Sequence, residues 1–132
     1  MKPISSTITR GVQVGSFLKC ADNTGADIVQ VITVKGYHGV ARRVGGCGVG
    51  SLVSVAVKKG NEKIKHEVSL AVVIRQRKEF KRKDGTRVKF EDNAAVLVNE
   101  KEEARGTRIK GAVAREAIER FSTIGKIATI VV

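Results

Sequence analysis

Four short runs of apolar and β-branched residues, 28–34, 52–57, 68–74 and 94–98, recur along the chain with polar, glycine-bearing segments between them. Each is shorter than the roughly ten residues a packed helix needs, so each predicts a strand. Residues 28–34 are nearly all β-branched, 52–57 alternate large with small residues and stop at Lys58-Lys59-Gly60-Asn61, and 68–74 are apolar apart from Ser69. Residues 12–20 also have a strand-like pattern, and Ala21-Asp22-Asn23-Thr24-Gly25 follows as a tight loop. The segment 36–50, with six glycines, predicts a loop or a loosely formed strand. Short strands with glycine turns point to a mainly β chain built as a small barrel.

Only the carboxy-terminal part changes period. Val113, Ala117, Ile118 and Phe121 share a helical face, and Glu116 and Arg120 stand as an i,i+4 pair, which predicts a short amphipathic helix over 112–121. Residues 124–132 fit a further helical turn, a closing strand, or both in succession. No repeat or linker divides the chain, so 1–132 is expected to be one domain. At this size folding buries about two-thirds of the unfolded surface, enough for a core without staples.

Charge is concentrated in one place. Residues 75–89 carry Arg75, Arg77, Lys78, Lys81, Arg82, Lys83, Arg87 and Lys89 against Glu79 and Asp84, half of the chain's net charge of +12. Asp84-Gly85 in their midst predicts a hairpin with a two-residue turn, placing Lys83 opposite Thr86, Arg82 opposite Arg87, Lys81 opposite Val88 and Phe80 opposite Lys89. Facing cations destabilise an isolated ribbon by roughly 0.2–1 kcal/mol, so such a ribbon implies a polyanionic partner. With four Phe, one Tyr and no Trp the chain has few platforms for stacking bases, which favours recognition of phosphates and shape. A second basic segment, Arg105-Gly106-Thr107-Arg108-Ile109-Lys110-Gly111 followed by Arg115, interleaves cations with glycine; it fits either phosphate approach or a soluble loop. Arg42 and Arg43 in the glycine-rich segment and Lys58 and Lys59 complete the candidate RNA-binding set.

Other chemistries find little support. Gly45-Gly46-Cys47-Gly48-Val49-Gly50-Ser51 has Ser51 where a phosphate loop needs lysine and leads into a strand, not a helix. Lys35-Gly36-Tyr37 opens like an RNA-recognition octamer, but His38 and Gly39 break the match. Cys20 and Cys47 form no CxxC pair and His38 and His66 no zinc spacing, so reduced, partly buried thiols are expected, with no metal and no cofactor. Glu91, Asp92, Glu100, Glu102 and Glu103 are expected to be a solvated acidic patch, and no catalytic constellation emerges. No apolar run suits a membrane span or a signal peptide, so a cytoplasmic location is expected.

Several segments occur together in order: Ala21-Asp22-Asn23-Thr24-Gly25-Ala26, Ala71-Val72-Val73-Ile74-Arg75, Arg82-Lys83-Asp84-Gly85, Phe90-Glu91-Asp92-Asn93-Ala94-Ala95-Val96-Leu97, Arg105-Gly106-Thr107-Arg108-Ile109 and Val113-Ala114-Arg115-Glu116. The set resembles the universal large-subunit ribosomal protein fourteen family. Val72-Val73-Ile74-Arg75-Gln76-Arg77-Lys78, after Val57-Lys58-Lys59-Gly60, resembles its archaeal and eukaryotic branch. The resemblance implies a five-stranded β-barrel with a projecting β-hairpin ribbon and short carboxy-terminal helices. It also implies a non-enzymatic constituent of the large subunit that binds large-subunit rRNA and contributes to the intersubunit interface and its bridges. Implied partners are neighbouring ribosomal proteins including large-subunit protein three, small-subunit rRNA across the interface, and anti-association initiation factor six. The competing expectation is a free-standing small-barrel translation factor or RNA chaperone.

Overall fold

The computed structural model describes residues 1–132. Five strands close a barrel in the order β2 (Phe17–Cys20), β3 (Ala26–Val34), β5 (Leu52–Gly60), β6 (Val68–Arg75) and β9 (Ala94–Val98). Neighbours pair antiparallel except at the closing seam, where β2 and β9 run parallel with Lys19 opposite Ala94 and Cys20 opposite Ala95. Small accessory pairs lie outside the barrel. β1 (Val12–Gln13) pairs with β4 (Gly46–Cys47), β7 (Phe80–Lys81) with β8 (Arg87–Val88), and β10 (Ala112–Val113) with β11 (Ile130–Val131). Two short helices, α1 (Arg115–Arg120) and α2 (Ser122–Ile127), complete the chain.

Burial explains why some strands alternate and others do not. In β5, Val53, Val55 and Val57 fill the barrel while Ser54 and Ala56 face outward. In β6 and β9 both faces are covered. Ala71, Val73, Ala95 and Leu97 join the barrel interior, whereas Val72, Ile74, Val96 and Val98 pack under Ile109, Val113, Ala117, Phe121 and Ile124. A strand buried on both faces reads as an unbroken apolar run, as residues 70–74 and 94–98 do.

Several expectations need correction. The strand over 12–20 is broken at Gly15, whose φ of +92° turns the chain between β1 and β2. β5 continues past the valines to Gly60 because β3 still offers backbone partners, with Lys59 opposite Ile28 and Gly60 opposite Ala26. The helix over 112–121 begins only at Arg115, since Ala112 and Val113 are drawn into parallel pairing with β11. Residues 124–132 are helix and then strand.

The ribbon has a three-residue loop, not the two-residue turn. Arg82 N donates to Thr86 O at 2.8 Å and Gly85 N to Arg82 O at 3.0 Å, so Lys81 faces Arg87 and Phe80 faces Val88. Gly85 alone in this loop has positive φ, +92°. That geometry is a type I turn closed by a left-handed glycine, not the two consecutive positive-φ residues of a type I′ turn. A cation still opposes a cation, now Lys81 and Arg87. The ribbon's base is also docked, because Phe80 is fully buried in the cluster beneath the helices.

Candidate nucleic-acid interface

The sixteen candidate cations divide by what holds them. Arg75 forks onto Asp92, Nε to Oδ1 at 2.9 Å and Nη2 to Oδ2 at 3.3 Å, while Nη1 donates to the Lys110 and Ala112 carbonyls at 3.0 and 2.8 Å. A side chain at Gly111 would strike Nη1, since a Cβ there would lie 2.6 Å away. Arg82 forks onto Glu116, Nε to Oε1 at 2.8 Å and Nη2 to Oε2 at 3.2 Å, and Nη2 also donates to the Val132 main-chain oxygen at 2.6 Å. Side-chain exposure is 12% for Arg75, 11% for Arg82 and 3% for Glu116. These two arginines are scaffold pins: Arg75 ties the strand before the ribbon to 110–112, and Arg82 ties the ribbon to α1 and the chain end. The sequence pairs Glu116 with Arg120, but the buried carboxylate takes the bidentate ribbon arginine, and Arg120 Nη1 donates to Gly50 O instead.

Two more cations have exposed partners. Arg105 Nη1 meets Glu67 Oε1 at 2.7 Å and Ser69 Oγ at 2.9 Å. The Arg105 hydrogen bond, helped by Ser69, holds the Glu67 carboxyl below its ordinary value. Arg87 reaches Glu79 only at 3.5 Å, with both side chains open to solvent. The remaining twelve, Arg42, Arg43, Lys58, Lys59, Arg77, Lys78, Lys81, Lys83, Lys89, Arg108, Lys110 and Arg115, are all exposed and none is in an ion pair.

The loop 105–110 is set by the turn after β2. Asn23 Oδ1 accepts from Thr107 N at 2.9 Å, Asn23 Nδ2 donates to Thr107 Oγ1 at 2.8 Å, and Lys110 N donates to Ala21 O at 2.6 Å. Buried Asp22 accepts from Leu97 N, from Thr24 N and Oγ1, and from Cys20 Sγ, riveting the turn to β9. Because Arg75 grips the Lys110 carbonyl from the other side, this loop and the ribbon are parts of one basic surface. Lys58 and Lys59 lie at the far end of β5, and Arg42 and Arg43 in the irregular segment after β3. Within the acidic patch Asp92 holds Arg75 and Glu102 takes the Met1 amino group at 2.8 Å.

Gln76 gave no signal in the sequence and is completely buried. Its Oε1 accepts from Val49 N at 3.0 Å, and Nε2 donates to Thr9 O at 3.0 Å and Lys78 O at 2.8 Å. One amide thus joins the amino-terminal strap, the glycine-rich segment and the base of the ribbon. Gly48 is the residue that permits this, since a Cβ there would sit 2.7 Å from Gln76 Oε1 and from Thr9 O. Both thiols are poor nucleophiles: burial, then Asp22, pushes Cys20 up to about 12, and burial pushes Cys47 up to about 11. His38 is exposed while Cys47 is in the barrel core. No helix is long and apolar enough to cross a membrane.

The family model described as ribosomal protein L14p/L23e matches residues 11–132. Proteins named large ribosomal subunit protein uL14 from Methanocorpusculum labreanum, Methanoregula boonei and Natronomonas pharaonis are 52%, 52% and 49% identical to it over 132 residues, the full length of this chain and of each relative.

Proposed function

The chain belongs to the ribosomal protein L14p/L23e family and is a structural constituent of the large ribosomal subunit, not an enzyme, and from that premise we propose that its ribbon and the loop 105–110 bind large-subunit rRNA. The observation that carries this is the division among the ribbon cations. Arg75 and Arg82 are spent on the scaffold, while the other six stand on an exposed hairpin with only the loose Arg87–Glu79 pair between them. Such a surface binds phosphates by displacing counterions, and the opposition of Lys81 to Arg87 is relieved when a phosphate lies between them.

The family resemblance supports the finer roles. The loop after β9 and the helices α1 and α2 are the surface offered to the small subunit and its rRNA, to bridges, and to anti-association initiation factor six. Large-subunit protein three is among the proposed neighbours.

The test is the salt dependence of binding between the purified chain and large-subunit rRNA. Six phosphate contacts predict a log–log slope of roughly −4 to −5. Changing Lys81, Lys83 and Arg87 to Gln is expected to reduce that slope by about 3, one per lost contact, with the thermal midpoint unchanged. A slope near zero, or a triple variant that binds like the wild type, refutes the proposal.

A further inference from the structure

A cleft of about 280 Å³ lies between the amino-terminal strap and the glycine-rich segment. Its lining includes Arg10, Lys35 and Arg120 and no carboxylate, and none of the three cations is in an ion pair. Arg120 Nε is buried without a hydrogen-bond partner. That nitrogen is itself closed off from the cleft and Nη1 donates to Gly50 O at 3.2 Å, so Arg120 contributes to the cleft through its positive charge. The walls are close-fitted: a Cβ on Gly46 would lie 3.3 Å from Arg10 Cβ, and one on Gly48 2.6 Å from Ile8 Cγ2. Tyr37, the chain's single tyrosine, also lines the cleft, with its ring seated against Gly45.

Three cations and an aromatic ring around a space of this size suit one anionic, planar group. The cleft is too small for a helix or a duplex groove and lies near the lower limit of roughly 300–1,000 Å³ for small-ligand pockets. It is also continuous with the basic surface. Gly11, next to Arg10, lies against Lys78 so closely that a Cβ would meet Lys78 Cβ at 2.7 Å, and Gln76 ties the strap to the ribbon's base.

Resting on the rRNA-binding proposal above, we infer that the cleft receives a single unstacked nucleotide of the bound RNA. Its phosphate lies among Arg10, Lys35 and Arg120 and its base against Tyr37. Unpaired nucleotides are splayed out and stacked on aromatic rings in this way, so the interface reads one position of the RNA by more than backbone charge.

The experiment compares large subunits assembled with the wild-type chain, with Arg10→Gln/Lys35→Gln, and with Tyr37→Leu, by 2′-hydroxyl acylation of the rRNA. One nucleotide protected by the wild-type chain is expected to gain reactivity by about fivefold or more in both variants, as loss of a stacked, phosphate-held base requires, while protections along the ribbon persist. If the variants load normally and no single nucleotide responds, or the change spreads along a duplex, the inference is overturned and rRNA binding by the ribbon stands. Should the charge variant fail to load, Tyr37→Leu, which keeps all three cations, decides by the same readout. Cross-linking that finds an acidic protein segment in the cleft also overturns it. A wild-type chain that protects no rRNA at all refutes the rRNA-binding proposal itself.

Discussion

Replacing Arg82 by Met separates a structural from a nucleic-acid role for this residue. In the native structure its guanidinium satisfies both oxygens of Glu116, whose side chain is 3% exposed, and lies 5.9 Å from the centre of the Phe80 ring. Methionine keeps the apolar stem but leaves the Glu116 carboxylate buried without its counter-charge. Breaking a buried pair in this way costs about 3–5 kcal/mol, whereas replacing both partners with apolar residues is often close to neutral. Against a total stability of about 5–15 kcal/mol for a domain of this kind, the single variant stands out. Urea unfolding followed by circular dichroism is expected to show a midpoint lowered by roughly 2 M, given a slope of about 1–3 kcal/mol per M. Arg82→Met/Glu116→Leu recovers most of the loss, and the double-mutant cycle reports strong coupling. If Arg82→Met loses less than about 1 kcal/mol, the range of an exposed pair, or if the double variant is no better than the single, the pin is not structural. A weakened affinity for rRNA in a fully stable Arg82→Met protein returns the residue to the phosphate-binding set.

Gln76→Leu orphans Val49 N and leaves the Thr9 and Lys78 carbonyls without their donor; a loss of about 2–4 kcal/mol is expected, with faster hydrogen exchange at Val49, and unchanged exchange there contradicts the hub. With Cys47 near 11 and Cys20 near 12, about one Cys47 thiol in a thousand is ionised at pH 8, so folded protein is expected to resist thiol labelling until strongly alkaline pH, with Cys47 ionising first. Rapid labelling at pH 8 without unfolding contradicts this. Glu67 titrates below its ordinary value in the folded state, so its contribution to stability is present above the ordinary carboxylate range and is lost as pH falls through the lowered value. Arg105→Ala is expected to bring the Glu67 titration, followed by NMR, back up towards that range, with little change in stability because the pair is exposed; no upward movement contradicts the assignment.

The barrel was largely legible because its strands announce themselves locally. Residues 28–34 are β-branched throughout most of their length, and 94–98 are buried on both faces and so apolar without interruption. Two of the two-residue strands, Gly46–Cys47 and Ala112–Val113, were not legible, since they have no strand character of their own and exist only through partners distant in sequence. The ribbon's register slipped by one because Asp84-Gly85 fits two turn types, and the choice between them rests on the backbone of Asp84. The concentration of cations at 75–89 was plain, but not its division. Whether an arginine is a pin or a free charge depends on an acid well outside its local sequence, Asp92 for Arg75, 17 residues on, and Glu116 for Arg82, 34 residues on. Arg10, Lys35 and Arg120 are scattered along the sequence, and only the folded strap and glycine-rich segment bring them to one cleft.

The parallel seam between β2 and β9 has a consequence for how the chain is made. Cys20 and Ala95, which face each other across it, are separated by 75 positions. At synthesis rates of about 5–20 residues per second, β2 waits roughly 4–15 s for the strand that closes the barrel. Until then a nascent chain rich in cations has open strand edges and no completed core, in the company of the nucleic acid proposed above as its partner. Non-local pairing of this kind is also slow to form. Early contact with RNA is therefore a hazard that the order of synthesis builds in, and a chaperone that shields the cations while β9 emerges would act in the interval the seam itself creates.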